Sequence, residues 1–357
     1  MKMSDSLSYS SSYSNPLSYS NPLSHSSPCS SCKVSNKIVK DCIYGHVEIP
    51  PLCLAFMDTP EFQRLRRVRQ LGVAHFAYPS AVHTRFEHSL GVMHLAGKFV
   101  DHLRNFVQIP PRTKELIQLA GMYHDIGHLA FSHLFDLFLS RLPLEADIPS
   151  FFEHREHEDR SLYFVRSVNK RLQLLTDEEV EFVCNCIRGI VPPGHPPYLY
   201  EIVCNRDCGV ETDKFDYENR DSYHTGFPGF QSDYIIRGSL IDGSGHIAFK
   251  EKLKGDIGDL FAVRHRMHER VYQHHVSLKM NKLYYCLMKR LGRKLYMYGE
   301  KTDDYNLETL FRNSPETADL INEMDNRELD HNCEICEDYV PVRMIKQSGC
   351  IENVRFV

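Results

Sequence analysis

From residue 37 onward, apolar positions recur along the chain with two different periods. The segment KIVKDCIYGHVEI, Lys37 to Ile49, alternates β-branched and polar residues around a glycine and predicts a short hairpin. Helical spacing then takes over. Thr59 as N-cap and Pro60 at the first helical position open a predicted helix with Phe62, Leu65 and Val68 on one face, running to Gly72. From Arg85 to Val107 the apolar stripe passes through Phe86, Leu90, Phe99, Leu103 and Phe106, and a further helix runs from about Arg112 to Asp125. Thr176 and Glu179 form a capping box at the start of TDEEVEFVCNCI. Helices over Asp213 to Tyr223 and Asp259 to Leu291 complete the pattern, with short strands only around Ile235 to Ile241 and Ile247 to Phe249. The expected fold class is mostly α with a few short β-strands.

The ends read differently. Residues 1–36 are rich in Ser, Tyr, Asn and Pro and carry SYSNPL twice, a composition that buries too little apolar surface to order itself. The expected organisation is a disordered tail over 1–36, one helical domain over 37–325 and a divergent segment over 326–357. Lys and Arg total 42 against 47 for Asp and Glu, so the net charge of -5 gives no whole-chain footprint for nucleic acid, although a local basic cluster leaves that partner open. Arg64, Arg66, Arg67 and Arg69 form such a cluster, an expected anion-binding surface against the plainer reading of a solvated helix face. No apolar run reaches the roughly 20 residues of a membrane helix, and the start lacks a signal-peptide core, so an intracellular protein of nucleus or cytoplasm is expected. The 12 cysteines are scattered, several within apolar segments such as EFVCNCI and LYYCLM, and read as reduced buried thiols.

The chemistry gathers in GMYHDIGHLAFSHLFD, Gly121 to Asp136, where three histidines and two aspartates occupy sixteen residues. Adjacent helix positions point about 100° apart, so His124 and Asp125 converge on one ion most easily where a helix ends, and Gly127 is the expected end. A turn would return His128, His133 and Asp136 towards the same point. Such a density of metal-binding and proton-transfer groups has no use in a packed apolar helix.

A lone His-Asp pair carries little in a chain with 20 histidines. The set is more specific: TRFEHSLGV at Thr84 to Val92, YHDIGHLAFSHLFD at Tyr123 to Asp136, HEDRS at His157 to Ser161, and TDKFDYENRD at Thr212 to Asp221. Together, in this order, they resemble the HD-domain deoxynucleoside triphosphate triphosphohydrolases. DTPEFQRLRRVRQLG and LFAVRHRMHERVYQHHV are similar to the eukaryotic branch that joins a SAM domain to an HD domain. The likeness covers about residues 37 to 325.

That resemblance implies hydrolysis of a dNTP to the deoxynucleoside and inorganic triphosphate. It implies metal ligands at His88, His124, Asp125 and Asp213, two imidazoles and two carboxylates that leave positions open for water and phosphate. Mixed nitrogen and oxygen ligation suits Fe, Mn, Co, Ni or Zn, with Mg accompanying the nucleotide. Metal coordination lowers the pKa of water from about 15.7 to about 7, fitting it to attack the α-phosphorus. His133 is the implied general acid, oriented by Asp136, with His128 and His157 positioning water or binding developing charge. Arg85, Lys214, Tyr217 and Arg264 match triphosphate contacts; Gln70, Asp221 and Tyr272 match sugar contacts, with Tyr272 crowding out a 2′ hydroxyl. Leu71 lies beside them and Gln273 falls near the base. Little in that set reads base identity, so broad dNTP use is expected.

Relatives are activated by nucleotides bound between subunits. Asp58, Gln63 and Arg66 match a triple that reads GTP or dGTP, and Lys37 matches a phosphate contact, which implies a homodimer or homotetramer. At the second activator site Asp256 and His275 stand where basic residues are expected. No stretch resembles a SAM domain, and residues from about Cys333 to Val357 do not resemble the C-terminal lobe, so a chain without either is expected. Two readings compete with the triphosphohydrolase: an HD phosphohydrolase of other nucleotide specificity, and a non-catalytic nucleotide or nucleic-acid binder using the arginine cluster.

Overall fold

The computed structural model describes residues 37–143, 147–326 and 351–357. The tail expected over 1–36 and most of the divergent segment after 326 lie outside the described residues. β1 (Lys37–Asp41) and β2 (Gly45–Ile49) pair antiparallel with Lys37 opposite Ile49, the predicted hairpin. Its turn is closed by Asp41, whose Oδ1 accepts from the amides of Ile43 and Tyr44 at 2.8 and 2.9 Å. Val47 and Ile49 are buried, which fixes the register.

α1 (Pro51–Met57) and α2 (Pro60–Gln63) each begin on a proline, whose fixed φ suits the first helical position. The helix expected as far as Gly72 is cut short: a tight 3-10 turn covers Arg64–Arg67, and Val68 is extended at φ -116° and ψ 106°. The chain leaves the helix because its backbone has a better partner. Arg85 N donates to Val68 O and Gln70 N to His83 O, both at 2.9 Å, and Arg69 bridges Thr84.

α3 (Arg85–Leu103) opens where Thr84 N donates to Glu87 Oε1 at 2.8 Å. α4 (Pro111–Tyr123), α5 (His133–Arg141), α6 (Ser150–Glu153), α7 (His157–Leu172) and α8 (Asp177–Arg188) follow. The predicted capping box of α8 is present, with Thr176 N on Glu179 Oε2 at 3.1 Å and Glu179 N on Thr176 Oγ1 at 3.3 Å. α9 (Thr212–Thr225) packs on α3, α3 on α4, and α4 on α8. Gly91 is what lets α9 approach: a Cβ there would overlap Asp216 and fall 2.6 Å from Arg220 Nη2. Phe56, Phe62, Phe99, Tyr123, Phe135, Phe164 and Phe215 fill the interior of this bundle, each contributing about 1.5–3 kcal/mol by burial.

The second half corrects two expectations. Ile235 and Ile236 lie in a helix, α10 (Ser232–Gly238), and only β3 (Ser239–Ile241) and β4 (Ile247–Phe249) form a hairpin, because burying the isoleucine pair beside α3 outweighs their β preference. The long helix expected over Asp259 to Leu291 is broken: α11 (Lys254–Met267) loosens into a π turn over His268–Tyr272 before α12 (His275–Leu291). α13 (Asp304–Asn313) and α14 (Ala318–Asn326) pack beyond α12. Residues Arg355 to Val357 lie along β4, with Phe249 N on Arg355 O at 2.8 Å and Val357 N on Phe249 O at 2.9 Å.

Cys42, Cys53, Cys184, Cys186, Cys204 and Cys208 are free thiols, whereas Cys286 on α12 is disulfide-bonded, a pairing its apolar sequence surroundings did not betray. Among the described residues no helix is long and apolar enough to cross a membrane.

Candidate active site

α4 ends at Tyr123, and the chain turns through His124 to Gly127. Gly127, the helix end expected from the sequence, lies beyond α4. Its use is close approach: a Cβ there would overlap the carbonyl of His157 and sit 2.5 Å from Ser161 N. Gly127 N donates to Ser161 Oγ at 2.9 Å, and Arg160 Nε donates to Gly127 O at 2.8 Å, so the turn is clamped onto the first turns of α7. From the other side Arg64 donates to His128 O and Ile126 O at 2.6 Å and to Thr302 O at 2.9 Å.

His124 and Asp125 thereby face α3 and α9. Nε2 of His88 lies 3.3 Å from Nε2 of His124, 3.3 Å from Asp125 Oδ2 and 3.2 Å from Asp213 Oδ1. His124 Nε2 stands 3.1 Å from Asp213 Oδ1 and 3.4 Å from Asp125 Oδ1. Ligand atoms about 2.0–2.2 Å from one ion lie about 3.0–3.6 Å apart, which is this spacing. His88, His124 and Asp125 form the group whose donors all fall within 4.8 Å; Asp213 joins it through the two imidazoles rather than through Asp125.

Each imidazole is held from behind. His88 Nδ1 is 2.7 Å from Asp216 Oδ2, and His124 Nδ1 is 2.8 Å from Gly121 O, which leaves both Nε2 atoms as the inward donors. Burial opposes a charge on His88, but Asp125, Asp213 and Asp216 outweigh it and raise its pKa well above the usual imidazole value. Burial likewise works against Asp125, yet Arg85, His124 and His128 hold its carboxyl well below the usual range. The carboxylates that favour a proton on each imidazole would equally favour a cation in its place, and two imidazoles with two ionised carboxylates fit a divalent ion.

Beside this quartet stands a second cluster. His128, His133, Asp136 and His157 also bring donor atoms within 4.8 Å of one another. The His128 and His157 rings stack at 3.8 Å, and the His133 ring meets their edges at 4.7 and 5.1 Å. Asp136 accepts from His157 Nδ1 at 2.7 Å and from Arg160. Its nearest approach to His133 Nδ1 is 3.8 Å, so its hydrogen-bonded imidazole is His157 and not His133. Burial lowers the pKa of His128 well below normal, reinforced by Arg85 and His157, and neither of its ring nitrogens has a partner. Burial also lowers His133, against Asp136; its side chain is nevertheless 44% exposed, which discounts that effect. For His157 burial is outweighed by the charge and hydrogen bond of Asp136, and its pKa rises.

His133 is placed by strain. Phe131 and Ser132 both take left-handed backbone, with φ of 60° and 57°, immediately before α5. Phe131 N on Asp304 Oδ1 at 2.8 Å and Ser132 Oγ on Arg69 O at 2.7 Å hold that conformation.

Several of the residues matched to substrate contacts are linked in pairs, with Arg85 on Asp125 and the Tyr217 ring 6.4 Å from that of His88. Arg85 is buried, ion-paired to Asp125, and its Nε donates to Ser132 Oγ at 2.8 Å. Lys214 is paired to Glu211, and Arg264 donates to the Tyr217 hydroxyl. Tyr272, on the π turn, donates to Asp221 Oδ2 at 2.7 Å, and Gln273 follows it. Gln70 is buried with an unpartnered Oε1, and Leu71 packs with Tyr272 against Val263, Met267 and Val271. The arginine cluster expected to bind anions is partly committed within the fold, with only Arg66 and Arg67 exposed. Arg64 is buried, Arg67 pairs with Asp303 at 2.8 Å, Arg69 with Glu308 at 2.9 Å, and Arg66 lies 3.5 Å over the Phe86 ring.

Four contributors went unread in the sequence: Asp216 behind His88, Arg160 behind Asp136, His83 at 2.7 Å from Asp221, and Glu218, buried 3.5 Å from Arg264. Burial raises the Glu218 carboxyl to about 8. The signal available for Asp216 was spacing: it lies three residues after Asp213 and four before Arg220 along α9.

The HD domain family matches residues 85–192. The chain is 35% identical over 255 residues to the deoxynucleoside triphosphate triphosphohydrolase SAMHD1 homolog of Dictyostelium discoideum, covering 69% of this chain and 48% of the relative. It is 36% identical over 272 residues to deoxynucleoside triphosphate triphosphohydrolase SAMHD1 of Bos taurus, covering 68% and 45%. To the Homo sapiens SAMHD1 it is 32% identical over 330 residues, covering 79% and 52%. The chain thus spans about half the length of the curated relatives it matches.

Proposed function

The chain belongs to the HD-domain deoxynucleoside triphosphate triphosphohydrolase family, and on that premise we propose that it hydrolyses dNTPs to the deoxynucleoside and inorganic triphosphate. The observation that carries this reading is the convergence of His88, His124, Asp125 and Asp213 beside a separate imidazole cluster. Those four residues would hold a divalent transition metal, Fe, Mn or Zn among the candidates, with Mg accompanying the nucleotide. A cation held there supplies Lewis acidity and a water of lowered pKa.

The chain's own side chains do the rest. The departing 5′ oxygen is a poor leaving group and needs a proton, which His133, partly exposed beside the quartet, would give. His157, anchored by Asp136 and Arg160, supports the developing charge beside it, and His128 lines the path between this cluster and Asp125. Arg85, Lys214, Tyr217 and Arg264 bind the triphosphate, Arg85 exchanging part of its hold on Asp125 for phosphate oxygens. Asp221, Tyr272 and Gln70 take the sugar, and the Tyr272 to Asp221 hydrogen bond closes the space a 2′ hydroxyl needs. Leu71 and Gln273 flank the base without a fixed reading of its edge, so all four dNTPs are used and ribonucleotides are not.

Guanine-nucleotide activation is the finer part of the proposal. Arg66 Nε donates to Gln63 Oε1 at 2.8 Å, joining two members of the Asp58, Gln63 and Arg66 triple into one polar edge, with Lys37 exposed at the start of β1. GTP or dGTP bound there would draw chains into a dimer or tetramer; mass measured with and without GTP plus a dNTP tests it, and an unchanged monomer removes the idea. For the activity, purified protein is incubated with Mn²⁺ or Mg²⁺, mixed dNTPs and GTP. Inorganic triphosphate supports the reading. Monophosphate products would assign another phosphohydrolase, and tight binding without turnover a nucleotide-binding protein.

A further inference from the structure

On the far side of the His88 support, three donors of different chemistry converge from three elements. Cys42 stands in the β1–β2 turn, Glu87 in the first turn of α3 and His224 in the last turn of α9. Their donor atoms all lie within 4.8 Å of one another, and Cys42 Sγ is 3.9 Å from His224 Nε2. We propose that Cys42, Glu87 and His224 form a second divalent-metal site, of the zinc class, distinct from the active site.

Tetrahedral zinc with sulfur at about 2.3 Å and nitrogen at about 2.0–2.1 Å sets those two atoms about 3.6 Å apart, so only a few tenths of an ångström of closure are needed. Two of the ligands are already oriented. The His224 ring stacks on His83 at 4.3 Å and 11°, and Glu87 spends one oxygen on the Thr84 amide, which leaves Oε2 to bind. Cys42 is an exposed free thiol and the other two are half-buried, so an ion can reach them from solvent.

Arg220 is the competing cation, with Nη1 3.9 Å from both Cys42 Sγ and Glu87 Oε2. Its charge is already met elsewhere, by Asp216 at 2.9 Å through two bonds and by Asp41 at 3.0 Å. It therefore shapes the site without occupying the ligands. Three protein ligands leave the fourth position to water, which makes the ion exchangeable rather than a permanent structural zinc. Binding converts the thiol to a thiolate and releases its proton to solvent. Filled, the site pins the hairpin turn to the ends of α3 and α9, the two helices that carry His88 and Asp213.

The test uses the full chain, stripped with a chelator and titrated with Co²⁺ alone. The active-site ligands are nitrogen and oxygen only, so a thiolate-to-cobalt charge-transfer band in the near ultraviolet cannot arise there. Cysteine pairs elsewhere can contribute a band, so the reading is the difference between parent and variants of matched circular dichroism. Cys42→Ser is expected to remove one equivalent of the band, and His224→Asn to weaken its Co²⁺ affinity at least about tenfold. Cys204→Ser should leave both unchanged. A Cys42→Ser protein with the parent's band intensity and Co²⁺ affinity would overturn the proposal, and so would a parent that shows no such band.

Discussion

The two histidine clusters are built from the same residue types, yet most of their imidazoles are supported differently. In the metal quartet both imidazoles are fixed from behind, His88 by Asp216 and His124 by the Gly121 carbonyl. In the neighbouring cluster His128 has no hydrogen bond on either nitrogen, only Asp125 at 3.5 Å and Asp136 at 3.9 Å, and His133 has only Asp136 at 3.8 Å, while His157 alone is held, by Asp136 at 2.7 Å. Donors locked before the ion arrives cost little further ordering when they bind it, which suits a ligand set. Imidazoles without committed partners can gain and lose a proton with little rearrangement, which suits proton transfer. Support behind the ring, more than residue type, separates the two jobs.

The strongest way to break that division is to remove a ligand. His88→Ala should take metal retention and turnover to background together, measured by metal analysis alongside product formation. His133→Ala should keep full metal occupancy and still lose about 10²–10⁴-fold in turnover. Because the depressed pKa of His133 leaves less of it protonated as pH rises, the parent's rate should fall on the alkaline side, and His133→Gln should flatten that limb. A near-normal rate in the metal-loaded His133→Ala protein would remove it from the mechanism.

A smaller effect sharpens the idea of support. Asp216→Asn keeps the shape behind His88 but weakens its grip, and should lower metal affinity about 10–100-fold without abolishing binding. The smallest effect is on stability. The folded pKa of His157 is raised, so its contribution is complete below the unfolded value of about 6.5 and disappears as pH rises through the folded one. The parent's Tm should therefore fall relative to that of His157→Gln as the pH climbs above about 6.5; parallel curves would show that the pair with Asp136 does not bias folding.

Sequence reading reached the parts whose partners are near in the chain or whose residue types are chemically special. The hairpin of Lys37 to Ile49 and the capping box of Thr176 and Glu179 need only local contacts, and both are present. Matched motifs named His88, His124, Asp125 and Asp213, which lie together in the fold although Asp213 is 88 or more residues from the others. What stayed hidden depends on distant partners. Arg67 and Arg69 look like a free basic face until Asp303, Asp304 and Glu308 return to neutralise them. Arg64 is spent on three backbone carbonyls, two of them in the turn that carries the active site. The π turn over His268–Tyr272 carries no composition mark, yet it aims Tyr272 at Asp221. Asp216 differs from any helical aspartate only in what lies opposite it, a glycine on α3 and the ring of His88.

The most direct test of the central claim traces the oxygen. Turnover of a dNTP in water enriched in heavy oxygen, followed by mass spectrometry of both products, reports where water attacks. The account predicts the label in inorganic triphosphate and an unlabelled deoxynucleoside. Label in a deoxynucleoside monophosphate, in pyrophosphate or in the sugar would contradict it.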